Sequence, residues 1–251
     1  MITTESEPVH EDTVREGQVI MPFYLLADVS SSMRDDEDEL NRAIGDLVQS
    51  IVKDPVVDDL VMLSVIAFNH VAKTVVELDS PSNITLPTLR AGGGTRYDSA
   101  FREYNRAFSA DRANLRQQGI KVYRPCVFFL TDGDPADIDS YLQTFRSLFA
   151  YDPETHTGNR AFPYFVPFGF REAAARVIQS LAYPDFGATK GRWFLSRSKS
   201  AAEILTTVSE VLGRTVISAG ESASRGAPML VPPAPPQGST IQFGDAGDFV
   251  D

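Results

Sequence analysis

Five oxygen-bearing side chains in three separated segments have the types and spacing to hold a hard metal ion. Asp28, Ser30 and Ser32 come from Asp28-Val29-Ser30-Ser31-Ser32, Thr95 follows Gly92-Gly93-Gly94, and Asp132 lies in Thr131-Asp132-Gly133. Magnesium favours oxygen ligands at ~2.0–2.1 Å and keeps several waters, so two carboxylates, three hydroxyls and an open position suit Mg2+ or Mn2+. The period-two spacing of Asp28, Ser30 and Ser32 aims alternate side chains the same way along an extended turn. The glycines allow close backbone approach ahead of Thr95. The same residue types also cap helices and build turns. Capping leaves unexplained an aspartate directly behind each of two apolar runs, Phe23-Tyr24-Leu25-Leu26-Ala27 and Cys126-Val127-Phe128-Phe129-Leu130.

Those runs read as strands covered on both faces, and apolar runs alternate with helical patterns along the chain, as in an α/β sheet with crossover helices. Strands are predicted over 19–27, 60–68, 71–78, 122–130, 163–170 and 192–195, the last at an edge. Residues 60–68 and 71–78 form a hairpin through Asn69-His70 that adds one antiparallel edge strand. Helices are predicted from near Asp35 to Pro55, from Thr95 to Gly119, from Pro135 to Phe149, over 171–183 and over 201–217. In such a sheet ligands gather outside the carboxyl ends of the strands, where all three oxygen-rich segments would sit.

The chain has 251 residues, 43% of them hydrophobic, enough for one α/β domain with tails. Its net charge of -11 argues against a nucleic-acid partner, whose phosphates require Lys and Arg. No apolar run approaches the ~18 residues that cross a bilayer, and the acidic stretch 1–18 lacks the layout of a signal peptide. A disordered acidic leader (1–18), a folded domain (19–217) and a flexible Pro/Gly-rich acidic tail (218–251) in a cytoplasmic protein are the expectation. Asp245, Asp248 and Asp251 in the tail are candidate competitors for a metal. Cys126 is the single cysteine and reads as a small buried hydrophobe. His10, His70 and His156 fall in a leader, a turn and a loop, and no Gly-x-x-x-x-Gly-Lys-Ser/Thr precedes a helix. One enzymatic alternative is a magnesium-dependent phosphatase of the haloacid-dehalogenase type with Asp28 as nucleophile. Such enzymes commonly need an acid two residues beyond the nucleophile, where this chain has Ser30.

Asp-x-Ser-x-Ser, a distant Thr and Thr-Asp-Gly in this order resemble the metal-ion-dependent adhesion site (MIDAS) of von Willebrand factor type A (VWA) domains. Pro22-Phe23-Tyr24-Leu25-Leu26, Leu63-Ser64-Val65-Ile66-Ala67-Phe68, Leu89-Arg90-Ala91-Gly92-Gly93-Gly94-Thr95 and Phe129-Leu130-Thr131-Asp132-Gly133-Asp134-Pro135 are similar to the bacterial branch associated with tellurium resistance and stress. The resemblance covers 19–217. It implies a doubly wound, Rossmann-like, mostly parallel sheet with helices on both faces. It also implies Asp28, Ser30, Ser32, Thr95 and Asp132 as metal ligands, and a non-catalytic adaptor that captures a partner's Asp or Glu through the ion. Members of that branch are linked to protein kinases and PP2C-type phosphatases. Ser31 stands where related domains usually carry Gly, and Asp98, Asp134 and Asp137 add acids that would raise cation affinity or repel an acidic ligand.

Overall fold

The computed structural model describes residues 19–187, 190–196, 201–224, 232–235 and 241–247. Its strands are β1 (Val19–Asp28), β2 (Val61–Phe68), β3 (Ala72–Asp79), β4 (Lys121–Val122), β5 (Cys126–Thr131), β6 (Tyr151–Asp152), β7 (Thr157–Gly158), β8 (Tyr164–Gly169), β9 (Arg192–Ser196) and β10 (Ile241–Asp245). The helices are α1 (Glu37–Val52), α2 (Pro55–Asp58), α3 (Tyr97–Gln117), α4 (Tyr141–Phe149), α5 (Ala175–Leu181) and α6 (Ala201–Ser224). The main sheet runs β10-β9-β8-β5-β1-β2-β3, with β4 beside the start of β1. Its centre is parallel, and β3 is the antiparallel edge strand expected from the hairpin.

Alternation along β1 divides the core into two layers. Phe23 and Leu25 face α1 and α6, joining Leu40, Ile44, Leu47, Val48, Val211 and Val216. Tyr24 and Leu26 face the opposite layer, where Phe101, Tyr104 and Phe108 of α3 meet Phe145 and Phe149 of α4. Each of these buried large side chains contributes about 1.5–3 kcal/mol by leaving water. The aromatic packing is continuous, with Phe129 lying 4.7 Å from Tyr97 and 5.0 Å from Phe68 between ring centroids. Parallel register sets Ala27 beside Leu130 and Leu130 beside Phe168, so the chain leaves β1, β5 and β8 at one edge, side by side.

The structure corrects several sequence expectations. The segment 218–251 is not uniformly a flexible tail: α6 runs on to Ser224, and Ile241–Asp245 pairs antiparallel with β9 as a second edge strand. Strand β9 is therefore internal, and Trp193 on it is 1% exposed. A Cβ at Gly244 would lie 2.6 Å from the Trp193 ring, so β10 needs glycine to approach the indole. Arg192 fastens the segment through Asp245 at 2.9 Å and the Pro232 carbonyl at 2.6 Å. This pairing was illegible because β10 is five residues long and its partner is distant in sequence. Secondly, the predicted helix over 171–183 shrinks to Ala175–Leu181, because Arg171 has a φ of 52° and Ala174 N–H donates to Asp134 Oδ1 at 2.7 Å. Thirdly, the helix expected from Pro135 begins only at Tyr141, since Asp137 is drawn to the start of α3. The leader, 1–18, lies outside the described residues.

Candidate metal centre

The first loop leaves β1 with Asp28 already buried, at 1% exposure. One carboxylate oxygen, Oδ1, accepts the Ser30 N–H at 2.8 Å, and the other, Oδ2, accepts the Thr131 hydroxyl at 2.7 Å. The Ser30 and Ser32 hydroxyls share a hydrogen bond at 3.0 Å, and Ser32 Oγ donates to Asp132 Oδ1 at 2.9 Å. Neither Ser30 nor Asp36, the N-cap positions of the 3-10 turn at Ser31–Asp36 and of α1, makes a side-chain cap. The oxygens of this segment thus turn toward one another and toward the third loop.

Backbone bonds set the glycine loop between the other two. Ser31 N–H donates to Gly93 O at 2.9 Å, Gly92 N–H to Val29 O at 2.8 Å, and Ala136 N–H to Thr95 O at 2.8 Å. Asn69 Nδ2 donates to Gly92 O at 2.6 Å from the three-residue β2–β3 turn. Gly93 has a φ of 80°, and a Cβ there would lie 2.3 Å from His70 Nδ1, so the His70 ring occupies the space a side chain would take. Thr95 is half-buried and precedes α3 rather than opening it. Its carbonyl is tied to the third loop, while its side chain makes none of the site's hydrogen bonds. The structure therefore joins Asp28, Ser30, Ser32 and Asp132 directly and brings Thr95 alongside through its backbone.

Burial raises both carboxyl groups above their ordinary range. Asp28 is pushed up to about 6 by loss of water, opposed by the Thr131 and Ser30 hydrogen bonds and reinforced by Asp132. Asp132 is also raised by burial, opposed by Ser32 and Arg171. Two carboxylates raised by burial, with hydroxyl oxygens between them, form a donor set that fits a hard divalent cation. The nearby acids have other work. Asp134 holds Ala174, and Asp137 accepts Tyr97 N–H at 3.0 Å and Asp98 N–H at 2.8 Å, capping α3 from another loop. Asp98 pairs with Arg96 at 3.0 Å. Asp245 sits opposite Arg192 at the start of β9, the far edge of the sheet from the three loops, so it is not placed to compete for an ion. Asp248 and Asp251 lie outside the described residues. Both Asp28 oxygens accept hydrogen bonds, a poor arrangement for the nucleophile of the phosphatase alternative.

No protein-family model matches the chain, and no curated protein matches it. Among solved structures, proximal thread matrix protein 1 from the mussel byssus aligns at 15% identity with a TM-score of 0.54, covering 80% of this chain and 49% of that one. A second structure of the mussel protein, described with a zinc-occupied MIDAS motif, has a TM-score of 0.53. A von Willebrand factor type A protein from Catenulispora acidiphila aligns at 16% identity and a TM-score of 0.51, covering 82% of this chain and 43% of that one. This chain has the VWA fold. The SpaC pilus adhesin from Lactobacillus rhamnosus GG in its open conformation scores 0.59 at 13% identity over 80% of this chain and 31% of its own. The chain spans less than half the length of each of these structures.

Within the VWA fold, three contributors to the site escaped sequence reading. Thr131, a motif residue not among the expected ligands, holds Asp28 through its hydroxyl. Tyr97, fully buried at the start of α3, donates to Gly133 O at 2.6 Å and lies 3.2 Å from Thr131 Oγ1. Arg171 reaches Asp36 Oδ2 at 2.5 Å, Asp132 Oδ2 at 3.9 Å and Ser32 O at 3.4 Å. A charged residue just past the carboxyl end of a predicted parallel strand was the available signal for Arg171. Among the described residues no helix is long and apolar enough to cross a membrane.

Proposed function

We propose that this protein is a metal-dependent protein-binding module. Asp28, Ser30, Ser32, Thr95 and Asp132 hold Mg2+ or Mn2+, directly or through water, and a partner's Asp or Glu completes the coordination. The observation that carries this reading is the meeting of Asp28 and Asp132, from two strand ends, across Ser30 and Ser32. Support also comes from the mussel protein with the same fold, whose MIDAS motif is described as zinc-occupied. An entering carboxylate replaces water and adds a charged oxygen ligand to the ion's sphere, while the surrounding loops set specificity.

The role is that of an adaptor rather than an enzyme, because the groups contacting Asp28 and Asp132 are Ser, Thr and Arg side chains with no general base among them. The motif resemblance to the tellurium-resistance and stress-associated branch makes a cytoplasmic bacterial signalling context, with kinase or PP2C-type phosphatase partners, the reading we favour. Calorimetric titration of Mg2+ and Mn2+ into the full chain and into Asp28→Ala tests the site. Binding by the wild type that is lost in the variant, and strengthened by added acetate, is expected. A wild type that binds neither ion overturns the reading.

A further inference from the structure

Arg171 is one of two non-glycine residues with positive φ among the described residues, the other being His156 on a polar hairpin. An arginine in this left-handed region costs backbone energy that Gly or Asn would largely avoid. The conformation turns the chain at the end of β8 toward the first and third loops, where Glu172 N–H donates to Asp132 O at 3.1 Å. The guanidinium then meets Asp36 at 2.5 Å and Ser32 O at 3.4 Å, and lies 3.9 Å from Asp132. It is the one cationic group in ion-pair range of either proposed carboxylate ligand among the described residues. Its side chain is 24% exposed, so it is not sealed from solvent.

We propose that Arg171 is a built-in counter-cation of the metal centre that weakens binding of the bare ion and strengthens binding of the partner carboxylate. This rests on the metal-site reading above. An ion held by Asp132 shares that carboxylate with the guanidinium, and like charges repel, so the bare ion binds less tightly than the donor set alone would allow. A carboxylate approaching the ion is attracted by both cations, and arginine's planar fork offers it N–H donors. The two effects have opposite signs. They make the ion-carboxylate pair, rather than the ion, the preferred occupant, and so select for an acidic partner over simple metal loading.

The test uses full-length wild type, Arg171→Asn and Arg171→Lys. Asn tolerates positive φ and removes the charge, while Lys retains the charge without the fork, and thermal melts confirm folding. Mn2+ is titrated calorimetrically, and sodium acetate is then titrated into the Mn2+-saturated proteins. Arg171→Asn is expected to bind Mn2+ at least roughly tenfold more tightly, the effect of one unit charge on a divalent ion at about 6 Å in a medium of effective dielectric about 80. Acetate affinity should fall several-fold in the same variant, and Arg171→Lys should keep wild-type Mn2+ affinity. Wild-type Mn2+ binding with unchanged affinities in Arg171→Asn overturns the role of Arg171 and leaves the metal site standing. Weakening of both ligands shows a merely structural role and also overturns it, as does Arg171→Lys behaving like Arg171→Asn. Failure of the wild type to bind Mn2+ removes the site reading and this inference together.

Discussion

Ser32 Oγ donates to Asp132 Oδ1 at 2.9 Å across 100 residues of sequence. That bond joins the loop leaving β1 to the loop leaving β5, and it places a hydroxyl and a carboxylate from different elements on one point. Neither loop alone has the donors for an ion. Together they do, because parallel register puts Ala27 beside Leu130 and so delivers Asp28 and Asp132 to the same edge.

The metal-free protein should lose stability as pH rises from about 4 to about 6. The Asp28 carboxyl titrates near 6 when folded and near 3.8 otherwise, so between these values the folded state binds more protons than the unfolded. The stabilisation is complete below the lower value and is lost through the upper one, about 3 kcal/mol for a shift of this size. Asp132, also raised, adds in the same direction. Urea midpoints in EDTA at pH 4 and pH 7 measure the loss. Asp28→Asn should flatten much of the slope, because Thr131 Oγ1 can accept from the amide and donate to Gly133 O, 3.2 Å away. Saturating Mn2+ should reverse it in the wild type by holding the carboxylates ionised, with affinity falling below pH 6 as protons compete. An identical slope in Asp28→Asn would contradict the assignment.

Tyr97→Phe keeps the buried ring and removes the hydroxyl that donates to Gly133 O. Gly133 O then keeps only the longer approach of Thr131 Oγ1, whose proton is shared with Asp28, and the lost bond should cost about 1–2 kcal/mol in urea unfolding. Because Gly133 follows Asp132 directly, Mn2+ affinity should also fall modestly, read in the same titration as the Arg171 variants. Unchanged stability would mean that water replaces the hydroxyl at no cost.

Gly244→Val drives a branched side chain into the Trp193 ring. Strand β10 should leave the edge, and the chain's single tryptophan should report the event as red-shifted emission. Melting should fall by the equivalent of about 2 kcal/mol, as apolar surface on β9 returns to water. Mn2+ affinity should hold, since the contact between Gly244 and Trp193 involves none of the three metal loops. Unaltered emission would show that β10 does not cover the indole in solution.

The sequence by itself determined the layers and the ligand types. Buried strands announce themselves through runs such as Cys126–Leu130, and helices through faces such as Leu40, Ile44, Leu47 and Ile51, because local periodicity records which side meets water. An aspartate placed directly behind such a run is legible for the same reason, so Asp28 and Asp132 could be named before any coordinates. What the tertiary structure decided are relationships without a local signature. Arg171 reaches Asp36 only because its backbone turns into the left-handed region, Asp137 caps a helix that begins 40 residues earlier, and β10 finds β9 across an intervening helix. Each is a pairing between segments far apart in the chain, and periodicity records burial but not the identity of the partner.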